Sequence, residues 1–164
     1  MRGLEFGTSV DLHGIQCAQA TLVSAKLYEA VKTMTPDKEK AENFVNNFCY
    51  ESWSESLRKF LGRSAETMIA LEEKEGKYRK DTHPARFETI EKNWPAIVQI
   101  IGEEIPSYGA LSRLLDTIGI SKDLDMDKET TVLSFLATKD IRDKYVLSRL
   151  AWDLGICDTL CDLL

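Results

Sequence analysis

Apolar residues recur along this chain at intervals of three and four, and that spacing predicts helices almost from end to end. Sustained period-two alternation is missing, as are Asn-Gly or Asp-Gly turns between β-branched runs, so strands are not expected. The first helix should run from about Leu12 into the low thirties, with Leu12, Ile15, Leu22, Ala25 and Val31 on its apolar side. It should stop before Thr35-Pro36, because proline disfavours helical geometry in the residue preceding it. Thr35 is placed to cap a second helix with Pro36 in its first turn, where a missing N–H is harmless. Ala41, Phe44, Val45 and Phe48 form that helix's stripe. A third segment carries Trp53, Leu57, Phe60 and Leu61 up to a stop at Gly62. Ser64 opens a fourth, with Met68, Ile69 and Leu71, which Gly76 closes.

Thr82 and Pro84 repeat the cap-then-proline pattern, and Phe87, Ile90, Trp94, Ile97 and Ile101 mark a long stripe after them. Pro95 falls inside this stripe. Proline removes one helical hydrogen bond and crowds the preceding turn, so a restart after Asn93 is favoured over a kinked helix. Beyond Pro106, Ser107 caps a helix bearing Leu111, Leu114, Leu115 and Ile118, and Gly119 ends it. The stretch "SKDLDMDKET" is a polar connection whose aspartates lack the glycine and closing glutamate of a calcium loop. A short helix around Val132, Phe135 and Leu136 should precede a longer one from about Thr138 to Leu154, ended by Gly155. Ile141, Tyr145, Leu147, Leu150 and Leu154 form its buried face. Asp140, Arg142, Asp143, Lys144, Arg149 and Asp153 read as surface ion pairs, each contributing about 0.2–0.5 kcal/mol. With no repeat, low-complexity run or Pro/Gly linker, residues 1–164 read as one all-α domain of about eight helices.

Composition narrows the partners. Twenty-seven acidic against 21 basic side chains give a net charge of −6, which argues against nucleic acid and anionic lipid surfaces. The mixed signs of "EEKEGKYRKD" suggest a solvated helix face and its exit. No run of about 18 apolar residues is present to span a membrane, and "MRGLEFGTSVDLHG" lacks the apolar core of a secretory signal. A cytoplasmic location is the expectation, with Cys17, Cys49, Cys157 and Cys161 reduced. Cys157 and Cys161, four apart, share a helix face; lacking a second such pair, they read as buried inert thiols and not as a zinc site.

Chemistry is sparse. There is no glycine-rich turn to cradle phosphates, and neither histidine sits in a nucleophile context. His83, in "DTHPARF", reads as an exposed residue at a helix start. His13, in "SVDLHGIQCAQATL", stands at the mouth of the first helix. Taken alone it reads as structural, because metal ligands come in clusters and the nearest carboxylate is Asp11.

Two longer stretches change that reading. "RFETIEKNWPAIVQIIGEEIPSYGALSRLLDTIGI" and "FLATKDIRDKYVLSRLAWDLGICDTL" resemble the C-terminal helical half of the sn-glycerol-1-phosphate dehydrogenase family, its AraM-like subset most closely. That family belongs to the superfamily of iron-containing alcohol dehydrogenases and dehydroquinate synthase. The resemblance runs from about Leu12 to Leu160 and implies a dehydroquinate synthase-like C-terminal domain. In the family the helical half begins with a His-Gly motif whose histidine binds the catalytic metal; His13, Gly14, Gln16, Thr21 and Leu22 match it, while Ile15, Cys17 and Gln19 depart from it. The resemblance thus implies that His13 is a metal ligand, the ion being zinc, nickel or iron, and that small Gly14, Ala18 and Ala20 let the helix approach ion and substrate. It also implies an NAD(P)-binding Rossmann-like domain and two further ligands upstream of the motif, none of which these 164 residues contain. The expectation is a metal-side domain of an NAD(P)-dependent polyol-phosphate oxidoreductase, inactive alone, as a fragment or the product of a split or truncated gene. It would pair with itself or with a separately encoded nucleotide-binding half through an apolar patch beside His13. A non-catalytic helical interaction or oligomerisation module derived from the family is the alternative.

Overall fold

A computed structural model of the chain describes residues 13–141 and 143–164. Leu12, Asp11 and Arg142, each invoked above, lie outside the described residues. Within them the fold is all helical: α1 (His13–Lys32), α2 (Lys38–Asn46), α3 (Tyr50–Leu61), α4 (Ser64–Glu75), α5 (His83–Glu104), α6 (Tyr108–Ile118), α7 (Lys128–Ile141), α8 (Leu147–Asp153) and α9 (Cys157–Cys161). Eight of these have seven or more residues and the last is a five-residue turn, in line with the eight read from periodicity. Among the described residues no helix is long and apolar enough to cross a membrane.

Short α8 is the hub. It packs against α2, α5, α7 and α9, while α1 lies across α5 and α6, and α3 pairs with α4, which leans on α7. The main core gathers Leu27 and Val31 of α1, Val45 of α2, Phe87 and Trp94 of α5, and Leu150 and Trp152 of α8. A second, smaller core collects Leu57, Phe60, Met68 and Ile69 of α3 and α4 against Ala137 of α7. Gly155 lets α8 meet α2: its φ of 65° lies in the left-handed region, and a Cβ there would stand 2.9 Å from Ala41 Cα.

Four local expectations are corrected. Asp37, not Thr35, caps α2, its Oδ1 accepting the Lys40 N–H at 3.0 Å; aspartate reaches that donor from an extended backbone. Thr82 precedes α5 without capping it, since its hydroxyl donates to the Arg79 carbonyl and accepts from Arg86. Pro95 does not restart α5, which runs unbroken from His83 to Glu104. Both Pro95 and Glu91, whose carbonyl loses its partner, face solvent, and Ile90, Trp94 and Ile101 hold the two halves on one core. Finally, the helix expected over 138–154 is two helices. The chain breaks after Ile141, Val146 is extended (φ −115°, ψ 169°) at the head of α8, and the break lets α8 turn into the core.

Candidate functional site

His13 is the first residue of α1 and lies in solvent. One turn on, Cys17 Sγ stands 3.4 Å from its Nε2 and 3.8 Å from its Nδ1, the approach that i,i+4 spacing produces. A Cβ on Gly14 would meet nothing within 4 Å. Gln16, Cys17, Ala20 and Thr21 are exposed beside it, so this end of α1 has a bare face of mostly small residues. The other face is tied down: Leu22 and Ala25 enter the core, and buried Gln19 donates to the carbonyls of Ser121 (3.2 Å) and Asp123 (2.8 Å) beyond α6.

One imidazole and one neighbouring thiol do not make a catalytic metal site, which takes three protein ligands and an open position. Among the described residues no three His, Cys, Asp or Glu side chains converge where an ion could sit. The described side chains alone do not fit a resident ion. Cys157 is buried and Cys161 half-buried on α9, and burial pushes their thiols up to about 12 and about 11, away from the thiolate that metals bind.

The described polar groups concentrate elsewhere, around α8. Asp153 is fully buried; its Oδ1 accepts from Arg86 Nε at 3.1 Å, its Oδ2 from the Tyr145 hydroxyl at 2.8 Å, and Arg149 Nε lies 3.6 Å from Oδ2. Arg149 and Arg86 both donate to the Lys77 carbonyl. His83 Nε2 donates to the Asp153 carbonyl at 2.8 Å and its ring stands edge-on to Trp152. Next to this lies Asp140, which accepts from the Tyr78 hydroxyl, from Trp53 Nε1 at 3.1 Å and from Lys139 Nζ at 3.3 Å. Burial, then the Asp140 charge, raises the Tyr78 hydroxyl well above its ordinary range; burial and Asp153 do the same for Tyr145. Each carboxylate is held by donors on both of its oxygens. That is the chemistry of a crosslink holding helices together, and it leaves no free base.

These positions correct three expectations. His83 is 1 % exposed and not at the surface, because the Asp153 carbonyl and Trp152 give its imidazole a place in the core. Arg149, Asp153 and Asp140 are buried partners and not solvent-side ion pairs; Asp143 and Lys144 do lie outside. Within "EEKEGKYRKD", Glu72 and Tyr78 are buried, the Glu72 Oε1 accepting the Tyr78 backbone N–H at 2.8 Å. A signal for the buried network was present: "LSRLAWDLGI" is apolar nearly all round, which leaves Arg149 and Asp153, four apart, no solvent face to occupy.

Beside the network opens a cleft of about 340 Å³ lined by Arg79, Arg86, Lys144 and Arg149 together with Glu75 and Asp143, among others. Arg149 Nη1 is buried there without a protein acceptor. Comparison with family models, with curated proteins and with solved structures returns no match to this chain.

Proposed function

We propose that this chain is the metal-side helical domain of a glycerol-1-phosphate dehydrogenase-like oxidoreductase, contributing His13 to an ion whose other ligands, with the NAD(P) site, come from outside these 164 residues. His13 would be this chain's ligand to such an ion, whose chemistry in the family is carbonyl polarisation during hydride transfer with NAD(P). The observation that carries the reading is the His13-Gly14 pair at the head of α1, set in a helical sequence that resembles that family from about Leu12 to Leu160. Two structural features support it. His13 is open to solvent on a bare helix face, as a ligand completed by another domain must be. On α6, which packs on α1, Leu114 and Ile118 are 52 % and 56 % exposed, an apolar surface suited to a second copy or a nucleotide-binding half.

The test mixes the chain with the Rossmann-like half of a family member, zinc, NADH and dihydroxyacetone phosphate, and follows nicotinamide absorbance. Turnover that disappears in His13→Ala is the expected result. An assembled complex with no turnover and a metal content indifferent to His13→Ala would remove the catalytic reading and leave the interaction module.

A further inference from the structure

The two hydrophobic cores do not close against each other. Between them lies an open cavity of about 430 Å³, with Phe44, Phe48 and Trp152 on the side of the main core and Leu57, Leu133 and Ala137 on the side of the smaller one. Trp53 touches both. Volumes of this order hold small molecules, and helical folds place such sites between helices.

The polar groups in its wall specify what would enter. Asp140 already accepts from Tyr78 on Oδ1 and from Trp53 and Lys139 on Oδ2, which leaves at most one acceptor site on that carboxylate. Asn47, Ser52, Ser56 and Asp158 lie at the exposed rim, and the spare capacity of the buried wall is in donors. The Trp152 indole N–H is buried without a partner, and Lys139, 5 % exposed, spends two of its three N–H groups on the Leu136 carbonyl (2.6 Å) and Asp140. Lys139 and Asp140 cancel each other's charge in the buried wall, and Asp158 at the rim disfavours an anion, so the guest that fits is uncharged. The ring pairs Phe48–Trp152 and Phe48–Trp53, with centroids at 5.7 and 6.5 Å, present edges and faces that a flat aromatic guest can extend.

We propose that this cavity is a binding site for a neutral aromatic molecule carrying a carbonyl-type acceptor, directed at the unpartnered donors of Trp152 and Lys139. The site is independent of His13 and of the oxidoreductase reading, and it stands or falls separately.

Benzophenone is a suitable probe, since it is neutral, has two rings and one carbonyl, and on near-ultraviolet excitation inserts into adjacent C–H bonds. Titrated into the full chain, it should saturably shift the indole N–H resonances of Trp152 and Trp53 and leave that of Trp94 unmoved. Crosslinked peptides should fall within residues 44–57, 133–140 and 152–158. Diphenylmethane, which keeps the rings and lacks the carbonyl, should bind at least tenfold more weakly. Ser56→Trp, at the exposed rim, should reduce benzophenone binding at least tenfold with unchanged circular dichroism. Absence of saturation, crosslinks scattered over the surface, or benzophenone binding indifferent to Ser56→Trp would overturn the site. Equal binding of diphenylmethane would overturn the acceptor requirement.

Discussion

The chain's two histidines sit in opposite surroundings. His13 opens α1 in solvent, has Cys17 of its own helix as its hydrogen-bonding neighbour among the described residues, and leaves open space above Gly14. His83 opens α5 at full burial, donates to the Asp153 carbonyl and packs on Trp152, inside a network that joins α5, α8 and the loop after α4. Both were helix-start histidines in the sequence, yet one is built into the fold and the other is left available. A polar residue whose every hydrogen-bonding group is satisfied internally is committed to structure; one held in place by the rest of its helix, with its own ring unengaged by the core, is free for chemistry.

The largest expected effect breaks the committed side. Asp153→Ala strips the partner from Arg86, Tyr145 and the buried Arg149 guanidinium, and an uncompensated buried charge should lower stability by about 3–5 kcal/mol in urea unfolding. A value near zero would mean the network is not holding α8. The histidines themselves give the sharpest contrast. His83→Ala should lose about 2–4 kcal/mol from the emptied volume and the orphaned Asp153 carbonyl. His13→Ala should stay within about 0.5 kcal/mol of the parent, as exposed substitutions do. Comparable losses at both positions would dissolve the distinction.

A smaller effect probes the seat of α8. Gly155→Ala combines a positive φ with a Cβ 2.9 Å from the Ala41 backbone and 3.0 Å from the Lys40 carbonyl, and should destabilise by about 2–3 kcal/mol. Gly14→Ala, with open space and α-helical geometry, should be neutral or slightly stabilising in the same unfolding assay.

The smallest effect is read against pH. Burial raises the Glu72 carboxyl above its ordinary range, the Tyr78 N–H and the Arg149 charge opposing it only in part, and its Oε2 has no partner. The folded protein therefore holds that proton more tightly than the unfolded chain. The stability this contributes is fully present below the unfolded value and is lost as pH rises through the raised native one. Relative to Glu72→Gln, which does not titrate, the parent should lose ground on going from acid to neutral pH. A pH-independent difference between the two would show that Glu72 is not desolvated.

The fold was legible because helical periodicity depends on local spacing. Gly62, Gly76, Gly119 and Gly155, all at positive φ, mark helix ends that the sequence announces by residue type alone. What the spacing could not show was depth. Arg149 and Asp153 look like any i,i+4 surface pair until α2, α5, α7 and α9 close around α8. His83 looked exposed because its partner is a backbone carbonyl 70 residues away, and a carbonyl carries no sequence identity. Pro95 looked like a break because its missing hydrogen bond is local, whereas the packing of Trp94 and Ile101 that overrides it is not. For the site, the sequence supplied His13 and its exposed helix start; the cleft at Arg149 and the cavity between the cores arise from tertiary placement of residues far apart in the chain.

The central claim is that the free histidine, and not the buried network, meets a metal ion. Cobalt(II) added to the chain assembled with a family nucleotide-binding half reports this directly through its visible absorption, whose intensity and position follow coordination number and donor type. The account expects a four- or five-coordinate spectrum that collapses in His13→Ala while the assembly stays intact. An identical spectrum in parent and variant would contradict it.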